Sequence, residues 1–243
     1  MGLLANLKTD DTIADAKEDV TSGSFILPSN LYDFTIELAY IGKSSGGAMS
    51  LNLHLTGDNG TTIRQTVYVT SGDAKGNLNY YVDKKKVKQY LPGFNIGNSL
   101  CLLTAGKEIG ELDTEEKVVN LYDFDAGKEL PTKVNAITDI MGKQVTLGVI
   151  KQTVDKNVKQ DDGTYAASGE IKEENEIDRV FRSTDGLTVT EIKAESIEPA
   201  IKAKWLEKWL DVTKNKAKGT AAGATGAVAG APVADKPKKS LFA

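Results

Sequence analysis

The run Asn77-Leu-Asn-Tyr80-Tyr81-Val-Asp-Lys84-Lys85-Lys86-Val-Lys88-Gln-Tyr90-Leu-Pro92-Gly93-Phe94 sets three tyrosines and a phenylalanine among four lysines. Tyrosine faces stack on bases and lysines neutralise phosphates. A groove that holds single-stranded nucleic acid without reading its sequence needs both. The same residue types also suit a strand that buries one face and solvates the other. The sequence leaves both readings open for this run.

Other chemistry is sparse. His54 is the only histidine and falls on the polar side of an alternating segment, so it reads as a solvated strand residue. With Cys101 as the only cysteine, no zinc-binding spacing exists. Cys101 sits in an apolar stretch and reads as a small buried hydrophobe rather than a thiolate. Gly42-Lys43-Ser44 has the ending of a phosphate-binding loop, but Glu37 stands where its first glycine belongs, and the segment joins two strands. The acidic clusters Asp113-Thr-Glu-Glu116 and Glu170 to Asp178 lack the spacing of a metal site or a carboxylate pair. The expectation is a binding protein rather than an enzyme, with no cofactor and no metal.

The elements that must position these residues begin with three alternating segments. In Leu31 to Tyr40 the even positions Tyr32, Phe34, Ile36, Leu38 and Tyr40 are apolar or aromatic, which predicts a half-buried strand. Met49, Leu51, Leu53 and Leu55 share one face of a second, and Thr61 to Thr70 makes a third. Short glycine-rich links, Gly42 to Gly47 and Gly57 to Gly60, fold the three into an antiparallel meander. Tyr68 lies between Val67 and Val69, and the valines are expected to point inward. Of Tyr80 and Tyr81, neighbours on a strand, only one can be buried.

A short helix is expected over Asn95 to Gly106, with Ile96, Leu100 and Leu103 on one side and Gly106 as its stop. Further strands are expected at Lys117 to Tyr122 or Lys133 to Ile140, or both, and at Gln144 to Lys151. Three meandering strands, a helix and two more strands form the order of the OB-fold, a five-stranded Greek-key barrel that binds oligonucleotides. A plain β-sandwich with a helical insertion is the alternative. The acidic stretch Glu170 to Val180 reads as an excursion packed back on the barrel.

The organisation expected is an N-terminal arm over residues 1–20, an OB-fold domain with insertions over 21–198, an amphipathic helix over 199–215 and a disordered tail over 216–243. In the arm, Leu3, Leu4 and Leu7 form a candidate docking patch. On the C-terminal helix Ile201, Trp205, Leu206, Trp209 and Val212 form the apolar face, and its tryptophans read as core or docking residues. The tail's Gly/Ala/Thr composition cannot pack a core. Its tip joins Leu241 and Phe242 to Lys236, Lys238 and Lys239, and so is the candidate partner-binding element.

Bulk composition bounds these readings. At 243 residues the chain can bury a real core, and 40% apolar with 26% charged content is ordinary for a globular protein. A net charge of −4 argues against a generally basic DNA-coating protein but permits a local basic stripe. One cysteine fits a reducing compartment. The start lacks the pattern of a secretory signal, Asn6 stands where myristoylation wants Ser or Thr, and no run approaches the roughly 18 apolar residues of a membrane span. A cytoplasmic protein without membrane contact is expected. Asn59-Gly-Thr61 reads as a hairpin turn rather than a glycosylation site.

Longer strings resemble a known family. Tyr80-Tyr-Val-Asp-Lys through Tyr90-Leu-Pro-Gly-Phe94 and Leu100-Cys-Leu-Leu-Thr-Ala-Gly106 resemble the single-stranded DNA-binding proteins of tailed bacteriophages. So do Pro131-Thr-Lys-Val134, Gly142-Lys-Gln-Val-Thr-Leu-Gly-Val149 and Asn175-Glu-Ile-Asp-Arg-Val-Phe181. The resemblance covers about residues 20–195. It implies an OB-fold, protection of single strands in phage replication and recombination within the host cytoplasm, and a C-terminal tail that recruits replication or recombination proteins. The tail departs from the family's pattern. It keeps the terminal aromatic as Phe242 but replaces the usual acid with lysines, which puts DNA contact beside partner contact as its role.

On an OB barrel the residues expected to hold single-stranded DNA are Lys43, Arg64, Tyr68, Lys75, Tyr80, Tyr81, Lys84, Lys85, Lys86, Lys88, Tyr90 and Phe94. A β-rich phage structural or assembly protein that binds protein partners through its sheet is the alternative function. A long exposed edge strand would be its mark.

Overall fold

The computed structural model describes residues 26–123, 126–160 and 165–218. The expected arm with Leu3, Leu4 and Leu7 lies outside them, as does the tail tip with Leu241 and Phe242.

Among the described residues the fold is mainly β. Strands β1 (Asn30–Lys43), β2 (Met49–Gly57) and β3 (Thr62–Tyr68) form the expected meander. A separate hairpin follows, β4 (Tyr80–Val82) with β5 (Lys88–Tyr90), and then helix α1 (Pro92–Ala105). Next come β6 (Glu115–Asp123), β7 (Lys128–Ala136), β8 (Gln144–Lys159) and β9 (Tyr165–Phe181). Two short helices, α2 (Val189–Lys193) and α3 (Ala200–Trp209), and strand β10 (Thr213–Asn215) complete the order.

Eight of these strands form one sheet that does not close into a barrel, in place of the five-stranded barrel expected. Strand β1 is its hub. One edge carries β2, while the other is shared by β8 along Asn30–Thr35 and β7 at Tyr40–Ile41. Between β7 and β8 the turn at Thr138–Ile140 interrupts the ladder, although Ile36 still exchanges backbone bonds with Gly142 and Lys143. At the sheet's far edges, β3 and β9 come within one side chain's reach: Gln65 Nε2 donates to the Asn175 carbonyl at 3.0 Å. Helix α1 packs against both strands and so spans the gap where a ladder would have closed the ring.

A bulge corrects the first strand's periodicity. Ile36 pairs with Leu55 and Leu38 with His54, which leaves Glu37 as the extra residue. Phe34 and Ile36 enter the core, but beyond the bulge the inward positions are Ala39 and Ile41. Leu38 and Tyr40 therefore share the outer face with His54 and Asn52, contrary to the single even-numbered face expected. The second strand follows its pattern, with Leu51, Leu53 and Leu55 buried, while Met49 at its start is exposed. At the end of the third, Val67 is half-buried, Tyr68 exposed, and Val69 just beyond the strand buried.

Strand β8 is buried without interruption from Val145 to Ile150, because both its faces are covered. Val145, Leu147 and Val149 join the main core, and Ile150 packs with Phe181 and Trp205 beneath α3. Burying an aromatic or large aliphatic side chain contributes about 1.5–3 kcal/mol, so Trp205 anchors α3. Its indole N–H donates to Asp178 at 2.8 Å. The ring lies so close over Gly148 that a Cβ there would sit 2.9 Å from it. The C-terminal helix ends at Trp209, short of the 199–215 expected, and the chain then adds β10 parallel to β8. Val212 consequently leaves the helix's apolar face and is exposed.

The acidic excursion expected at Glu170 to Val180 is instead part of β9, which pairs with β8 nearly to the ribbon's tip. Both alternatives for the fourth strand form, as the β6–β7 hairpin.

Candidate nucleic-acid interface

The Tyr80–Phe94 run folds as a hairpin docked on a helix start. Tyr80 pairs with Tyr90, Tyr81 with Gln89 and Val82 with Lys88, so Tyr80, Val82, Lys88 and Tyr90 share one face. Tyr81 and Gln89 occupy the other. The turn is held by Asp83, whose Oδ1 accepts the backbone N–H groups of Lys85 and Val87 at 2.8 and 2.9 Å. Lys86 adopts the left-handed conformation, φ 62°, that reverses the chain. Asp83 is thus a turn former as much as a charge, and Lys84, Lys85 and Lys86 project at the tip.

Aromatic packing fixes the hairpin's base. The Lys88 ammonium lies 4.7 Å above the Tyr80 ring, and the Tyr90 and Phe94 rings are 5.0 Å apart. Phe94 itself packs on the core, which makes it more anchor than free platform. Gly93 lets the first turn of α1 press against the end of β3, since a Cβ there would meet the Tyr68 carbonyl oxygen at 2.1 Å. Pro92 opens the helix, and Gly106 closes it at φ 72°.

The remaining expected residues reach the same end of the meander, with one exception. Lys43 closes β1 and lies 3.9 Å from Asp73, an exposed pair worth little in stability. Lys75 belongs to the adjoining turn Asp73–Lys75. Tyr68, 52% exposed, stands opposite Ser50. Arg64 is the exception, about 13 Å further along β3 at ~3.3 Å per residue. It forms an ion pair with Glu129 of β7 at 3.5 Å.

Around Arg64 the outer face is a second recess, which the sequence reading reached only in part. The β6–β7 hairpin brings Leu121 and Tyr122 over Tyr40, Asn52, His54 and Thr66, enclosing about 330 Å³. His54 meets Tyr40 edge-on, with centroids 6.1 Å apart at 78°. Burial lowers the imidazole below its ordinary 6.5, Arg64 lowers it further and Glu129 opposes them. Burial likewise raises Tyr40. Thr66 Oγ1 donates to Asn52 Oδ1 at 2.8 Å, so this face is polar, ordered and uncharged apart from the Arg64–Glu129 pair. Tyr40 escaped the sequence reading because the bulge reversed its face. Tyr122 escaped because its hairpin is remote in sequence.

Among the described residues no ion pair engages Lys75, Lys84, Lys85, Lys86 or Lys88. Tyr81 and Tyr90 are 47% and 58% exposed. The arrangement offers cations and aromatic faces on one small hairpin, and the hydrogen-bonding recess around Arg64 is a separate surface, about 13 Å along β3 at ~3.3 Å per residue. Cys101 is fully buried, and burial pushes its thiol up to about 12. Among the described residues no group of His, Cys, Asp and Glu is placed to hold a metal ion, and no helix is long and apolar enough to cross a membrane.

Comparison with models of known protein families gives no match, and neither does comparison with curated proteins.

Proposed function

We propose that the chain is a sequence-independent single-stranded DNA-binding protein without catalytic activity. The observation that carries this reading is the β4–β5 hairpin, where unpaired lysines stand beside exposed tyrosine rings. Stacking one base on an aromatic contributes about 1–3 kcal/mol, and each phosphate neutralised adds a salt-dependent term. The outer face of β2 and β3 adds a separate set of hydrogen-bonding groups, Asn52, Arg64 and Thr66.

The sheet supports an OB-type relationship. A meander is followed by a helix, and β1 is divided between β2 on one edge and later strands on the other; OB barrels are themselves only partly closed. On this reading the protein protects single strands in phage replication and recombination, in the host cytoplasm. Leu241 and Phe242 then serve contacts with replication or recombination proteins.

A labelled oligo-dT titrated with protein at low salt should show a rise in anisotropy that weakens steadily as salt is added. No rise at low salt, or equal affinity for duplex, would sink the reading.

One observation favours a β-rich assembly protein as second reading. Among the described residues β9 pairs only with β8, which leaves a long edge without a partner strand. That edge carries Glu170, Lys172, Glu173, Glu174, Glu176 and Asp178, however, and charge is a common means of blocking edge-to-edge pairing. Large concentration-dependent assemblies in light scattering would favour this second reading.

A further inference from the structure

A polar cleft lies on the far side of the hairpin. Two recesses, of about 410 and 440 Å³, run between the hairpin, α1, β9 and α2. They share Tyr90, Asn95, Ser99, Arg179, Val189 and Thr190 and are therefore one continuous groove. Tyr81 lines one end and Lys193 the other.

The charges in this groove are not equally engaged. Glu176 accepts hydrogen bonds from Lys214 and Lys216, the latter at 2.7 Å. Asp178 accepts from the Trp205 indole, and the Glu108 carboxylate caps the turn Ile109–Glu111. Arg179 and Lys193, both exposed, have no carboxylate partner among the described residues. The side chains of Asn95 and Ser99 are likewise without a protein hydrogen bond there. Two free cations, two free neutral donors and tyrosines at the rim suit a sugar–phosphate strand, in which charge recurs at each nucleotide and bases can stack.

We infer that a single strand held on the hairpin continues past Tyr90 into this cleft, with its phosphates on Arg179 and Lys193. The inference rests on the single-strand reading and extends it to a second basic site. Tyr81 and Tyr90 then flank the passage from one face of the hairpin to the other. Arg179 suits the role because its guanidinium can contact a phosphate through two N–H groups, whereas Lys193 acts as a point charge.

The test compares wild type, the double variant Arg179→Ala/Lys193→Ala and the exchange Arg179→Lys/Lys193→Arg, each titrated with labelled oligo-dT of about 16 nucleotides, within the range known for OB folds. Two lost phosphate contacts should flatten the log–log salt dependence by about 1.4, at ~0.7 per contact, and weaken binding at least tenfold at low salt. The exchange variant should recover most of the slope. All three should melt together, because both side chains are exposed. A double variant with wild-type slope and affinity overturns the cleft assignment alone. A wild type without affinity for the oligonucleotide overturns the single-strand reading and the cleft with it.

Discussion

The β8–β9 ribbon of the large sheet and the separate β4–β5 hairpin treat their lysines in opposite ways. On the β8–β9 ribbon, Lys151 lies 2.9 Å from Glu173, Lys156 lies 2.7 Å from Glu170, and Lys172 lies 2.9 Å from Glu174. On the β4–β5 hairpin, Lys84, Lys85 and Lys86 form no ion pair among the described residues, and Lys88 rests on a tyrosine ring. The hairpin's one carboxylate, Asp83, is turned inward to hold the turn. A lysine that already faces a carboxylate gains little from a phosphate, since the carboxylate repels the newcomer. A free lysine gains the full counterion release. Local pairing rather than total lysine number therefore distinguishes a binding surface from a solvated one, which is how a net charge of −4 is compatible with an anionic ligand.

The sharpest way to break the contrast is to remove the hairpin's rings. Tyr81→Ala with Tyr90→Ala should weaken oligo-dT binding by about 2–6 kcal/mol, at ~1–3 kcal/mol per stacked base, while the melting temperature moves little. Unchanged anisotropy titrations would remove the hairpin from the interface. Next in size, alanine at Lys84, Lys85, Lys86 and Lys88 together should flatten the salt dependence by about 2.8, at ~0.7 per phosphate. Alanine at Lys151, Lys156 and Lys172 should leave it unchanged. Equal slopes in the two variants would erase the distinction between the ribbons.

A carboxylate fully committed to the fold gives the opposite extreme. Glu191 is buried, and its oxygens accept from Ile201 N–H at 2.8 Å and from the Thr188 N–H and hydroxyl at 2.9 and 2.8 Å. Burial alone would raise this carboxyl, but those hydrogen bonds outweigh it and hold it below 4.5. Glu191→Ala should cost about 2–3 kcal/mol in chemical denaturation, without altering DNA affinity per folded molecule. The sign of its pH effect follows from the depressed value. Its contribution is complete at neutral pH and is lost as the pH falls from about 4.5 through the folded value. Wild type should therefore lose melting temperature more steeply than Glu191→Gln across that window. The smallest effect is expected from exchanging partners on the long ribbon. Lys156→Glu with Glu170→Lys should leave stability within about 0.5 kcal/mol and binding unchanged.

What the sequence disclosed divides along the same line. Segments with one apolar face were legible: β2 and β3 follow their alternation, and α1 follows its spacing and its Gly106 stop, although it begins at Pro92 rather than at Asn95. Strand β9 was not, because from Glu170 to Glu174 only Ile171 is apolar and pairing to β8 comes from backbone bonds and cross-strand ion pairs. Neither supplies a hydrophobic period. The hairpin's residues were legible as chemistry, but their division into two faces depended on which tyrosines paired. Arg179 was hidden in an acidic run, and only the fold brings it to Tyr90, Asn95 and Lys193. Tyr40 was visible as an aromatic and placed on the wrong side.

That misplacement gives the bulge at Glu37 a meaning beyond local geometry. Strand β1 is read in one phase up to Ile36 and in the opposite phase from Leu38 onward, as a message is after a single-letter insertion. Pressing Glu37 into the ladder as an ordinary paired residue would undo the shift, sending Tyr40 toward the interior and turning Ala39 and Ile41 to the surface. Deleting Glu37 would instead remove the bulge and leave Tyr40 outward with Ala39 and Ile41 inward. One residue thus decides which half of the strand's information is used to hold the protein together and which is displayed to the outside.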